Sequence, residues 1–282
     1  MTLDIGHLRQ WIGRTQTHHD TITAFPANAF AATLDRDDPP YVTGDSLPPL
    51  WHWLHFLPIF ALSDTGYDGH QALGGFLPPV PLPRRMWAGS RLHFAAPVPI
   101  GADLTRTSEV LSVAHKAGRS GDLVFVSLRH RVQDEDRLLI DEEHDIVYRQ
   151  APAPGAAAPT PPQAPDGDDF ARAVVPGPVL LFRYSALTFN GHRIHYDRPF
   201  CAEEGYDGLV VHGPLLATLM MDLLRRNLPD ATVHSFAFRA VAPVTDTAAF
   251  SVHGRTEGET VQLWVRRADG ALAMEGRATL AR

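Results

Sequence analysis

The stretch Phe94-Ala95-Ala96-Pro97-Val98-Pro99-Ile100-Gly101-Ala102-Asp103-Leu104 has a counterpart far down the chain, Phe238-Arg239-Ala240-Val241-Ala242-Pro243-Val244-Thr245-Asp246-Thr247-Ala248. Each leads into an alternating segment, 105–111 in the first case and 249–254 in the second. Each then reaches a second pair of alternating runs, 123–131 with 138–148 and 260–266 with 272–280. Apolar residues such as Phe125 and Leu128, or Leu263 and Val265, are interleaved with polar ones, the period of strands with one buried face. Ala268-Asp269-Gly270 supplies a tight hairpin turn between the last two runs.

Ahead of the strands in each half lies an apolar segment that reads as a helix. In the second half it spans 214–226 and begins with Pro214, which a first helical turn tolerates. In the first half it spans 50–62, rich in Trp and Phe. The order of a helix followed by several antiparallel strands therefore occurs twice, and a sheet curled around one long helix is the hot-dog architecture. Two copies in one chain predict an α+β, double hot-dog fold. Between them runs Ala151-Pro152-Ala153-Pro154-Gly155-Ala156-Ala157-Ala158-Pro159-Thr160-Pro161-Pro162, where alternating prolines deny the backbone donors that helix or sheet would need. The expected division is an N-terminal domain 1–150, a linker 151–177 and a C-terminal domain 178–282.

With 282 residues, 44% hydrophobic and 20% charged, the chain has an ordinary globular composition. A formal net charge of -7 argues against a nucleic-acid partner. The one cysteine, Cys201, cannot form an intrachain disulfide, which suits a reducing, cytoplasmic setting. No signal-like or membrane-spanning run is present, so no membrane partner is expected.

Chemistry concentrates in Leu187-Thr188-Phe189-Asn190-Gly191-His192-Arg193-Ile194-His195-Tyr196-Asp197, followed by Val211-His212-Gly213-Pro214. A base on a loop beside a helix N-terminus is minimal equipment for acting on a carbonyl compound. These residues resemble those of the MaoC-like (R)-specific hydratases and their two-domain relatives, the 3-hydroxyacyl-thioester dehydratases and the itaconyl- or mesaconyl-CoA hydratases. The family loop reads Asp-x-Asn-Pro-x-His-x-Asp. Here His195 and Asp197 match its end, Asn190 stands at the catalytic Asp position, and His192-Arg193 replaces the Asn-Pro pair. Val211-His212-Gly213 matches the start of the family's central helix, and Thr218 stands where some members have a loop-fixing serine.

The resemblance implies reversible hydration of an enoyl-CoA, with a branched dicarboxylyl group of the itaconyl or mesaconyl type favoured. His195 is the expected base, Asn190 the orienting group for water, and the Gly213 N–H the oxyanion donor. Thr218 and His192 are expected to support them. Asp197 reads as a loop anchor, and the bland reading of Asn190 is an Asx-turn cap. For the phosphates of CoA or a second carboxylate the candidates are Arg84, Arg85, Arg193 and Arg119, the last within Lys116-Ala117-Gly118-Arg119-Ser120-Gly121. No metal and no cofactor beyond the CoA of the substrate is expected, and an acyl-carrier protein is an alternative carrier. His18-His19-Asp20 lacks a following Val-His-Gly element, so the N-terminal half is expected to be non-catalytic. A double hot-dog can act as one pseudo-dimer or pair into a homodimer. The rival readings are a dehydratase of fatty-acid metabolism, a hot-dog thioesterase and a non-catalytic acyl-thioester-binding subunit.

Overall fold

The computed structural model describes residues 3–118, 121–151 and 160–281, so Arg119 and most of the Ala/Pro run lie outside the described residues. The first half contains α1 (Ile5–Leu8), β1 (Thr15–Thr21), α2 (Ala24–Thr33), β2 (Ser46–Leu47), β3 (Arg84–Phe94), β4 (Val98–Pro99), β5 (Asp103–Gly118), β6 (Gly121–Asp134) and β7 (Arg137–Arg149). The second contains β8 (Phe170–Val174), α3 (Pro178–Leu187), α4 (Arg198–Glu203), α5 (Gly213–Asn227), β9 (Val233–Ala240), β10 (Phe250–Glu257), β11 (Thr260–Arg266) and β12 (Leu272–Leu280).

Ten of these strands form a single sheet in the order β1-β5-β6-β7-β3-β9-β12-β11-β10-β8. The order repeats from either edge: the first sheet strand of a half, then its third, fourth and fifth, then its second, β3 or β9, at the seam. The duplication legible in the sequence is thus a duplication of topology. The halves join where β3 meets β9 antiparallel, with Ser90 opposite Phe238 and Leu92 opposite Phe236. At this seam Gly89 is required by close approach, because a Cβ there would lie 2.3 Å from the Phe238 carbonyl oxygen.

α5 is the central helix. Leu215 to Leu224 are all buried along it, as expected for a helix packed into the hollow of a curled sheet. One core joins its side chains to Ile22, Phe30, Trp51 and Leu104 of the first half. Asp222 fixes this docking. Its fully buried carboxylate accepts from Arg36 of the first half (2.5 Å), Arg172 of β8 (2.9 Å) and Arg226 one turn on (2.8 Å).

Two expectations are corrected. Segment 50–62 is not a helix: it forms a 3-10 turn at Trp51–Leu54 and then runs irregularly. Pro48 and Pro49 precede it and Pro58 lies within it, and proline disfavours helical backbone at itself and before it. Leu50 and Phe56 adopt positive φ of 71° and 53°. Its apolarity reflects burial of Leu50, Trp51, Leu54 and Phe56. Residues 170–174, assigned to the linker, form β8 and pair with β10, Val174 lying opposite Phe250.

Candidate active site

The loop after α3 is shaped by its own hydrogen bonds. Asn190 N–H donates back to Ser185 O at 2.8 Å, closing the helix through Phe189, whose φ is 49°. This is the left-handed helix stop usually given to glycine. Asn190 Oδ1 then accepts from His192 N–H at 2.9 Å, an Asx turn that leaves its amide N–H₂ as the remaining polar group. A 3-10 turn spans Arg193–His195, and Asp197 caps α4 by accepting from Phe200 N–H at 3.1 Å.

His195 sits at the end of this turn, 6% exposed. Its Nδ1 donates to Val210 O at 2.6 Å. A carbonyl can only accept, so this contact puts the proton on Nδ1 and leaves Nε2 with a lone pair. Burial pushes the imidazole down to about 3, against the opposing effect of that hydrogen bond. The ring stacks on His212 at 3.5 Å between centroids, and His212 Nε2 meets Ser185 Oγ at 2.8 Å. Gly213 follows as the first residue of α5, where N–H groups have no intrahelical acceptor.

His195, Asn190, His192 and Gly213 line one cavity of about 1720 Å³ whose walls come from both halves of the chain. The first half enters through Gly66-Tyr67-Asp68-Gly69-His70, which docks directly on the loop. Arg193 N–H donates to Asp68 O at 2.9 Å. A Cβ on Gly69, whose φ is 89°, would lie 2.0 Å from Gly191 O, so two glycines meet backbone to backbone. This contact brings His70 to 4.1 Å from His192 between ring centroids, with His192 5.4 Å from His195.

Asp68 backs His70 by two contacts, Oδ2 to ring Nδ1 at 2.7 Å and Oδ1 to the His70 N–H at 3.0 Å. Burial opposes ionisation of Asp68, yet the His70 hydrogen bonds and charge hold it well below the usual carboxylate range. Burial and the Arg85 charge lower His70, while Asp68 opposes them. Donor atoms of Asp68, His70 and His192 lie within 4.8 Å of one another, a spacing also compatible with a metal ion.

A second polar cluster lines the same cavity farther into the first half. Buried Glu142 accepts from Trp53 Nε1 (3.0 Å) and Ser90 Oγ (2.9 Å), and its other neighbour is His52 Nε2 (3.3 Å). Burial would raise this carboxyl, but the His52 contact and nearby imidazoles bring it down to about 2. His130 and His144 are pushed down by burial to about 3 and about 4. Trp87 stacks on His144 at 3.9 Å, and Arg106 lies over the Phe56 ring at 5.4 Å.

The arginines divide. Arg84 lines the cavity but is ion-paired to Glu204 at 2.8 Å. Arg193 is clamped on Asp197 at 2.7 Å, stacks over Phe200 at 4.3 Å and is not among the lining residues, so it holds the loop together. Arg85 lines the cavity, and its charge acts on Asp68, His70 and Tyr148. Thr218 donates to Pro214 O at 2.9 Å, within its own helix, and does not reach the loop. Sequence reasoning missed Asp68 and His70. Their only signal was a Gly-flanked Asp-Gly-His in a segment with no periodicity, and nothing local says that it meets Gly191.

The comparisons with known proteins agree with this geometry. Residues 50–246 match the model of the family described as hydroxyacyl-thioester dehydratase type 2. The chain is 47% identical over 272 residues to the mesaconyl-C(4)-CoA hydratase of Chloroflexus aurantiacus, covering 96% of each. It is 26% identical to the mitochondrial hydroxyacyl-thioester dehydratase type 2 of Schizosaccharomyces pombe, covering 88% of this chain and 91% of that one. Among solved structures, a MaoC-like dehydratase from Phytophthora capsici superposes with a TM-score of 0.74 at 15% identity, covering 99% and 98%. A Mycobacterium tuberculosis protein described as having a double hotdog fold superposes at 0.55 with 17% identity, covering 96% of each. The chain is a double hot-dog protein that belongs to the hydroxyacyl-thioester dehydratase type 2 family, and it is a hydro-lyase that interconverts α,β-unsaturated and 3-hydroxyacyl thioesters.

Proposed function

We propose that the chain hydrates a short, branched dicarboxylyl-CoA of the mesaconyl type, with His195 as the base. The observation that supports the base is the His195 Nδ1–Val210 O hydrogen bond, which leaves Nε2 as an acceptor in the cavity that Gly213 also lines. In this reading Nε2 takes a proton from water while the water oxygen bonds to Cβ. Asn190 orients that water through its amide N–H₂. The Gly213 N–H receives the charge that develops on the thioester oxygen, and loss of such a donor costs about 3 kcal/mol of transition-state stabilisation. Thr218 acts through α5 and through its side-chain hydrogen bond to Tyr184 of α3, and His192 through its packing between His195 and His70.

The acyl group is argued from the 47% identical relative and from the cavity lining. Arg85, Arg106, His130 and Glu142 all border this space. A long alkyl chain would desolvate these groups without pairing them, whereas a second carboxylate pairs with a cation. Arg85 is the arginine assigned to that carboxylate. CoA is assigned as the carrier and arrives as part of the substrate, with no further cofactor and no metal. A cytoplasmic location agrees with one buried cysteine, and among the described residues no helix is long and apolar enough to cross a membrane. The double hot-dog is proposed to act as its own pseudo-dimer, and pairing into a homodimer is tested by its mass in solution.

The test is an enoyl-thioester absorbance assay across mesaconyl-, itaconyl-, crotonyl- and longer enoyl-CoAs, with free thiol followed in parallel. Loss of enoyl absorbance without thiol release, fastest for the dicarboxylyl esters, supports the reading. Thiol release marks a thioesterase, and binding without turnover marks a non-catalytic subunit; either result defeats it.

A further inference from the structure

We propose that His70, held by Asp68, is a second catalytic residue, exchanging the proton at Cα. This rests on the hydratase reading above, and it gives the N-terminal half a chemical role. The loop has Asn190 where its family resemblance places a carboxylic acid, and an amide neither gives nor takes a proton at neutral pH. Among the described residues no carboxylate hydrogen-bonds His195, so a second proton would have nowhere stable to reside on the loop itself. The closely docked 66–70 segment supplies what is missing. It brings in an imidazole whose Nδ1 contacts Asp68 at 2.7 Å, so that Nε2 is the transferring atom. His192 lies between the two imidazoles, 4.1 Å from His70 and 5.4 Å from His195. Both His70 and His195 line the cavity that receives the thioester.

His195 Nε2 removes a proton from water as the oxygen bonds to Cβ, and the π pair moves toward the thioester carbonyl as an enolate. The His70 imidazolium, paired with the Asp68 carboxylate, gives its Nε2 proton to Cα, and the enolate returns to the thioester. The His195 imidazolium then releases its proton to solvent and His70 takes one up, so that one water has been added and both residues are restored. Dehydration runs the same transfers backwards.

The charged and titratable groups around His70 are Asp68 on its own segment, Arg85 on β3, and His192 and His195 from the loop. Burial and then the Arg85 charge disfavour the imidazolium, and Asp68 opposes both, so His70 holds its proton only below the ordinary histidine range. Because the imidazolium is the active form in hydration, kcat/KM falls as pH rises through the His70 value. Removing the Asp68 charge moves that alkaline limb to lower pH.

The experiment compares wild type with H70Q, D68N and H70Q/N190D in the hydration assay, each checked by thermal melting. For H70Q, kcat is expected to fall by about 10²–10⁴-fold, the range for a general acid–base residue, with KM changed less than about threefold. N190D in the H70Q background is expected to restore at least about tenfold of the loss, since it returns a carboxyl group to the loop. D68N is expected to shift the alkaline limb downward. H70Q turning over at nearly the wild-type rate while H195A is inactive overturns this proposal and leaves the hydratase reading standing. If H70Q does not fold, H70N and the D68N profile decide, and an unmoved limb in D68N overturns the proposal. Activity lost to a chelator and restored by a divalent ion also overturns it, since the three donor atoms would then serve a metal. Failure of the wild type on every enoyl thioester defeats the hydratase reading instead.

Discussion

In the proposed reaction a single hydrogen bond sets the chemistry at the residue scale. Val210 O accepts from His195 Nδ1 at 2.6 Å, and burial then holds the ring neutral through the working pH range. We therefore expect His195→Ala to lower kcat by about 10²–10⁴-fold, as for loss of a general base, with CoA-ester affinity nearly unchanged. Stopped-flow hydration and equilibrium binding separate the two quantities. His195 was legible because its neighbours match a family loop, and Asp197 was legible as an anchor because a carboxylate before a short helix caps it. Asn190 was legible by position, but its Oδ1 is spent on His192 N–H, so only its amide nitrogen side remains for water. Arg193 misled because a guanidinium in an active loop suggests an anion, whereas Asp197 four residues on already satisfies it.

At the scale of elements, two docking contacts carry the assembly. Gly69 against Gly191 lets one loop lie on the other, and a methyl at Gly69 would meet backbone at 2.0 Å with φ of 89°. Gly69→Ala is expected to cost about 1–3 kcal/mol through overpacking and backbone strain. It should lower kcat more than a remote substitution of equal stability cost, which paired urea melts and kinetics would show. Asp222 is the second contact. It serves Arg36, Arg172 and Arg226 with no exposed side-chain surface. Asp222→Ala leaves these guanidinium groups without their shared carboxylate, and a loss of about 3–5 kcal/mol is expected in chemical denaturation.

α5 and the strand runs were readable from period and turn residues. The 50–62 segment was not, since an apolar run alone does not distinguish a buried irregular segment from a buried helix. The prolines before and within it were the available signal. The Gly69–Gly191 contact was invisible, because it joins distant residues through backbone atoms that leave no side-chain pattern.

Across the whole molecule, duplication gives a continuous sheet and a large cavity lined by both halves. The topology was visible as two similar runs of strands. The buried polar lining was not, because His52, His130, Glu142 and His144 are scattered over three segments with no common motif. That lining has a consequence for stability. His130, His144 and His195 are lowered by burial from an ordinary 6.5 to about 3, about 4 and about 3. Between 6.5 and those values the unfolded chain binds protons that the fold does not, so stability falls as pH falls through this window. Glu142, brought from 4.5 to about 2, contributes in the same direction at the acid end. The melting temperature is thus expected to drop between pH 7 and pH 4, by more than in a variant carrying His130→Asn and His144→Asn, if that variant remains folded.

The central claim is that this cavity adds water to a dicarboxylyl thioester by means of His195. It is tested most directly by following the enoyl absorbance of mesaconyl-C(4)-CoA with wild type and His195→Ala side by side. The account predicts rapid loss of absorbance without release of CoA thiol for the wild type, and no measurable loss for the variant. Equal rates for the two proteins, or thiol release by the wild type, would contradict it.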